Sequence, residues 1–113
     1  MNIVIVRGIL SRPGECRTLP SGDCLVAYDL TVREGEGPAE IVPVVVPGEP
    51  AVVHDEGTEL LVTGRVRRRF FRAGGATQSR TEVVAEAVVV ATDQRRVRRA
   101  IDRALAGTVR TPA

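Results

Sequence analysis

The 113-residue chain is 43% hydrophobic with a formal net charge of +2, which bounds it to one domain with a modest core and excludes a protein that is basic all over. Only Tyr28, Phe70 and Phe71 are aromatic, so the core must be built from Val, Ile, Leu and Ala, and the abundance of β-branched valine favours strands over helices. One histidine and two cysteines argue against a zinc site, and the absence of lysine excludes a Gly-rich phosphate loop ending in Lys-Ser/Thr.

Asn2 to Leu10 is an apolar run broken by Arg7 and Gly8, which predicts a strand with a bend or bulge. Ser11-Arg12-Pro13-Gly14 ends it with turn chemistry. Cys16 and Cys24 flank the turn signal Leu19-Pro20-Ser21-Gly22, a spacing that places them across a hairpin. In a reducing compartment two free thiols are favoured over a disulfide. Residues 24–32 alternate, with Cys24, Val26, Tyr28, Leu30 and Val32 on one parity, predicting a second, half-buried strand with Tyr28 in the core. Residues 33–39 are glycine-rich and acidic, hence a loop. Ile41 to Val46 is a third strand, in which Pro43 removes one ladder donor and implies an edge or a bulge. Pro47-Gly48-Glu49-Pro50 is a turn, and Ala51 to Glu56 has room for one helical turn before Gly57 stops it.

Glu59 to Arg72 is the fourth and longest strand. Within it Val62, Gly64 and Val66 share one face, while Arg65, Arg67, Arg69 and Phe71 share the other. A row of guanidinium groups ending in a phenyl ring suits a single-stranded nucleic acid, since the charges track phosphates and the ring stacks on a base. The same pattern also fits a solvated edge strand kept soluble by charge. Phe71 is the expected stacking ring, whereas Phe70, on the Val66 parity, is expected to be buried. A bulge between Gly64 and Phe70 is the feature that would reverse the two. Arg72, Arg80 and Arg7 complete the candidate nucleic-acid-binding set. Residues 73–79 read as a flexible hairpin loop, and Arg80 to Ala91 as the fifth strand.

Charge is segregated along the chain. Residues 34–59 carry Glu34, Glu36, Glu40, Glu49, Asp55, Glu56 and Glu59 with no arginine, and residues 60–80 carry arginines with no acid. A polyanion therefore meets a local patch. In the tail, Thr92 is placed to cap a helix running from Asp93. Val97, Ala100, Ile101, Ala104 and Leu105 form its apolar stripe, Arg95, Arg96, Arg98, Arg99 and Arg103 flank it, and Gly107 ends it. The stripe predicts packing on the barrel or on a neighbouring subunit. The alternative is an additional phosphate-contacting surface. The helix lacks Trp or Phe anchors for a membrane surface, no segment is long enough to span one, and Met1-Asn2-Ile3 opens without a basic n-region. The expectation is a cytoplasmic, nucleoid-associated protein with no membrane partner.

Five strands with a short helix between the third and fourth predict an all-β, five-stranded Greek-key barrel of the oligonucleotide-binding (OB) kind over residues 1–92. Residues 93–113 add the basic amphipathic helix and a short tail.

In this order the features resemble the bacterial single-stranded DNA-binding protein family. The matches are Asn2 opening an apolar strand with Gly8, then Pro13 and Arg17 before Leu19-Pro20-Ser21-Gly22. Ala27-Tyr28-Asp29-Leu30 follows, then Gly57 before Val62-Thr63-Gly64-Arg65-Val66, and Thr81-Glu82-Val83-Val84-Ala85. The resemblance covers residues 2–91 and implies an OB-fold that assembles into homotetramers, sometimes homodimers, and coats single strands without strong sequence preference. Ile41 stands where the family has a tryptophan, and Pro47 where it has a phenylalanine. Phe71 stands where a fourth-strand aromatic belongs, and Tyr28 matches a second-strand aromatic. The short loop after Val32 carries Glu34, Glu36 and Glu40, which repel phosphate. The family's acidic C-terminal tip, which recruits replication and repair proteins, has no counterpart here. The chain thus looks like a short, divergent paralogue without acidic-tail recruitment.

Catalysis needs convergent titratable groups, and His54, beside Asp55 in a turn-like segment, has no such company. No cofactor is implied, and the chain reads as a binding protein rather than an enzyme. Three functions stay open: single-stranded DNA binding in replication, recombination or repair; an RNA-binding or primosome-accessory OB protein; and a degenerate OB module acting through protein–protein contact.

Overall fold

A computed structural model describes residues 1–108. Strands β1 (Val4–Leu10), β2 (Glu15–Thr18), β3 (Cys24–Val32), β4 (Glu40–Pro47), β5 (Glu59–Ala73) and β6 (Ala76–Val90) precede one helix, α1 (Gln94–Leu105). Neighbours run β1-β5-β6-β4-β3-β2, and β1 also pairs with β3 at Ile9–Thr31 and Leu10–Leu30, so the sheet closes into a ring. Neighbouring strands are antiparallel except β4 and β6, which run parallel at Val44–Val83 and Val45–Val84.

The alternation of the valine-rich strands decides what fills the ring. Val26, Tyr28 and Leu30 of β3 meet Leu10, Val44, Leu60, Val62, Val83 and Ala85 in one buried cluster. Tyr28 lies in it as its parity requires, and its hydroxyl accepts the His54 amide at 3.1 Å. Pro43 faces Asp29 in the β3–β4 ladder and lies one residue before the β4–β6 pairing begins at Val44, so it is unpaired on its β6 side.

A second cluster lies outside the ring. Leu61 and Val89, on the opposite parity, pack with Ala100, and Ile5, Ala87, Val97 and Ile101 join them. The apolar stripe of α1 is therefore seated on the outer face of β1, β5 and β6, as the first of the two expectations had it. The cap differs by one residue: Asp93, not Thr92, is the N-cap, and its Oδ1 accepts the Arg96 amide at 3.2 Å. The expected tail beyond Thr108 lies outside the described residues.

Three local expectations are corrected. Residues 51–56 form no helical turn. Two β-branched valines there disfavour helix, and both backbone groups of His54 are used elsewhere, its amide by Tyr28 and its carbonyl by the Gly14 amide at 3.0 Å. Residues 73–79 are not a loop, because β5 and β6 continue to a two-residue turn at Gly74 and Gly75. Their φ values of 59° and 80° match a primed hairpin turn that glycine adopts without steric cost. Finally, Cys16 faces Val26 while Cys24 faces Thr18, so the thiols are offset across the β2–β3 ladder, and both are free. The strand β2 was not expected at all; it is a short, fully exposed edge.

Candidate nucleic-acid interface

The candidate site is built where β5 and β6 outrun the ring. The ladder between β1 and β5 ends at Val4–Gly64, and β4 reaches β6 only at Val83 and Val84. Past that point the two strands continue as a two-stranded ribbon to the Gly74-Gly75 turn. At its root the register shifts: Thr63 faces Ala87 and Gly64 faces Ala85, leaving Glu86 as the extra residue on β6. Gly64 is required there because a Cβ would collide with the Val84 carbonyl oxygen. The irregularity thus precedes Gly64 and lies on the partner strand, so the face assignment from Gly64 to Arg72 holds.

Arg65, Arg67, Arg69 and Phe71 share the outer parity, and Arg80 joins them opposite Arg69. Two guanidinium groups directly opposed are unfavourable alone, and the fold offsets this with the carboxylates of Glu82 and Asp29. Glu82, opposite Arg67, is only 2% exposed. It accepts Arg67 Nη2 at 2.6 Å and Arg69 Nε at 3.3 Å. Burial alone would raise the Glu82 carboxyl, but the two arginine hydrogen bonds outweigh it and hold the group below its usual range. Arg69 also lies over the Phe71 ring, 5.1 Å from its centroid, covering one face of the expected stacking platform. Arg80 lies 3.7 Å from Asp29 of β3, which also accepts Arg12 Nε at 2.9 Å.

The other expected members are dispersed. Arg72 belongs to the opposite parity and donates to the Gly75 carbonyl at 3.1 Å, tying down the ribbon tip. Arg7 is not part of this surface. It pairs with Glu59 at 2.6 Å and lines a hollow beside Val97, Arg98 and Ile101 of α1.

Phe70 overturns its expectation. It does share the parity of Val66, but it is 66% exposed and Val66 is 43% exposed. Beyond Val83 no other described strand pairs with the ribbon, so a residue on core parity emerges into solvent. Phe70 and Arg68 are therefore the accessible ring and cation of that side, and neither stood in the expected set. Glu82 and Arg12 were missed as well. The Gly-Gly turn held the signal for Glu82, because counting outward from Gly74 and Gly75 pairs residue 67 with residue 82.

Among the described residues Arg65 and Arg68 make no ion pair, and Arg67 Nε is buried without a partner. Beside Arg67 an open hollow of about 520 Å³ is walled by Leu25, Val45 and Pro47. Ile41 is exposed on β4. The described residues contain no three metal-ligating side chains grouped to hold an ion, and no helix long and apolar enough to cross a membrane. No protein-family model matches this chain, and a search of curated proteins returns no match.

Proposed function

We propose that this chain is a small OB-fold protein that binds single-stranded DNA without sequence specificity, in replication, recombination or repair. The OB reading is supported by the strand arrangement. β1, β3 and β4 are consecutive neighbours and β5 returns to lie beside β1, the order of a Greek key. The observation that carries the function is the protruding ribbon. One side offers Arg65 beside the Arg67/Arg69 pair, and the other offers exposed Phe70 beside Arg68. Cations track phosphates and an exposed ring stacks on any base, which is the chemistry of sequence-tolerant single-strand binding. Assembly into homo-oligomers belongs to the same reading.

A second reading, a degenerate OB module acting on protein, is favoured by the internal carboxylates. Glu82 and Asp29 already neutralise much of the outer face. Titration with oligo-dT, oligo-U and duplex DNA at two salt concentrations separates the readings. Salt-sensitive binding of oligo-dT in preference to duplex supports the proposal, equal or stronger binding of oligo-U moves it to RNA, and no binding to any of them at low salt ends it.

A further inference from the structure

Arg67, Arg69 and Arg80 of the ribbon are paired with carboxylates, whereas none of the arginines of α1 is. Arg95, Arg96, Arg98, Arg99 and Arg103 are all exposed, and none forms an ion pair among the described residues. We propose that the outer face of α1 is a second polyanion-binding surface, onto which a single strand held by the ribbon continues. This rests on the single-strand reading of the ribbon.

The helix is anchored, so its outer face is fixed in place. Val97, Ala100 and Ile101 pack against Leu61 and Val89, and Arg95 and Arg99 therefore lie on the side turned from the ring. The charge pattern works against the helix itself. Past the Asp93 cap its first turn contains no acid and carries Arg95 and Arg96, at the end where the macrodipole favours anions, and only Arg103 lies in the last turn, where it favours cations. Arg95 and Arg99, and Arg99 and Arg103, stand at i, i+4, where like charges repel. Within the helix only Asp102 opposes them. Local stability is thus given up for a cationic face, the kind of violated rule expected at a functional surface, and a bound polyanion relieves it.

The occupant follows from chemistry and continuity. Helix α1 holds no aromatic residue, and Leu105 is its one large exposed apolar side chain, so it has little to insert into a lipid surface. Leu61, beneath α1, and Arg65 share the outward parity of β5 four residues apart, about 13 Å along a strand. The basic helix and the Arg65 side of the ribbon therefore lie in sequence along one outer face.

The test compares the full chain with a triple variant, Arg95→Gln, Arg99→Gln and Arg103→Gln, and with a ribbon variant, Arg65→Gln and Arg68→Gln. Each is titrated with oligo-dT of about 8 nucleotides, within the site size of one OB-fold, and of about 30, well beyond it. The helix variant should bind the short oligomer within about twofold of the wild type but lose the gain seen with the long one. Its log–log salt slope on the long oligomer should fall by about two units, three contacts at about 0.7 each. Arg-to-Lys changes at the same positions should restore that slope, and melting temperature should stay level or rise. A helix variant that keeps both length gain and slope overturns the proposal and leaves the ribbon reading intact. Loss in the helix variant with an unaffected ribbon variant overturns the ribbon reading instead. A triple variant that loses only binding to vesicles of equal phosphatidylglycerol and phosphatidylcholine assigns the surface to lipid and overturns the proposal.

Discussion

Asn2 and Val66 lie 64 residues apart and are hydrogen-bonded twice. Asn2 Nδ2 donates to the Val66 carbonyl at 2.7 Å, and the Val66 amide donates to Asn2 Oδ1 at 2.8 Å. The carboxamide imitates a strand residue and carries the β1–β5 ladder two residues past its last backbone pair, Val4–Gly64. It braces the ribbon where it leaves the ring. Asn2→Ala should lower stability by about 1–2 kcal/mol, seen as a melting temperature several degrees lower for a domain of this size. An unchanged melting curve would mean that water replaces both bonds without loss.

Glu82→Gln should act in two directions at once. Removing the buried charge weakens its bonds to Arg67 and Arg69 and so destabilises the ribbon root. The two arginines are then released to phosphate, so oligo-dT binding should strengthen and its salt slope steepen by up to about 1.4 units. Weaker DNA binding with an unchanged slope would show that Glu82 positions the arginines rather than competing for them.

The same residue sets a pH signature. The folded-state pKa of Glu82 lies below its ordinary value of 4.5. Its stabilising contribution is therefore complete above that value and is lost as pH falls through the folded pKa. Denaturant midpoints of wild type and Glu82→Gln should converge on acidification below about pH 4.5. Midpoints that stay a constant distance apart would assign the stability difference to something other than this charge.

Phe70→Ala should leave stability within about 0.5 kcal/mol, because the ring is largely in solvent. It should nevertheless weaken single-strand binding by about 1–3 kcal/mol if the ring stacks on a base. Phe71→Ala removes the cation–π contact with Arg69, worth about 0.5–1 kcal/mol at an exposed site, and should affect binding less. Parallel fluorescence-anisotropy titrations of the two variants decide the order.

Truncation after Thr92 uncovers Leu61 and Val89 and should destabilise the ring by about 2–4 kcal/mol. Sedimentation of the truncated chain shows whether the exposed face also changes assembly. A truncation that leaves melting temperature and mass unchanged but abolishes DNA binding would mean that α1 serves as a nucleic-acid arm whose packing contributes nothing.

Local patterning was enough to read several elements closely. Residues 24–32 set Val26, Tyr28 and Leu30 on one parity and are β3 to the residue, and the arginine strand ends within one residue of β5. The stripe of α1 and the core parity of Tyr28 were equally legible, because a repeat of 2 or 3.6 residues states which side chains share a face. Where turn chemistry competed with extension, sequence reading failed: the run 73–79 looked loop-like from composition, yet two glycines suffice to reverse a hairpin.

Sequence by itself determined the faces; tertiary structure decided which of them are covered. Phe70 and Val62 have the same parity, but Val62 lies inside the ring and Phe70 lies past its rim. Arg67 and Arg65 share a face, but only Arg67 has a buried carboxylate opposite it. Burial and charge neutralisation depend on what another segment places across the gap, and strand periodicity carries no information about that partner.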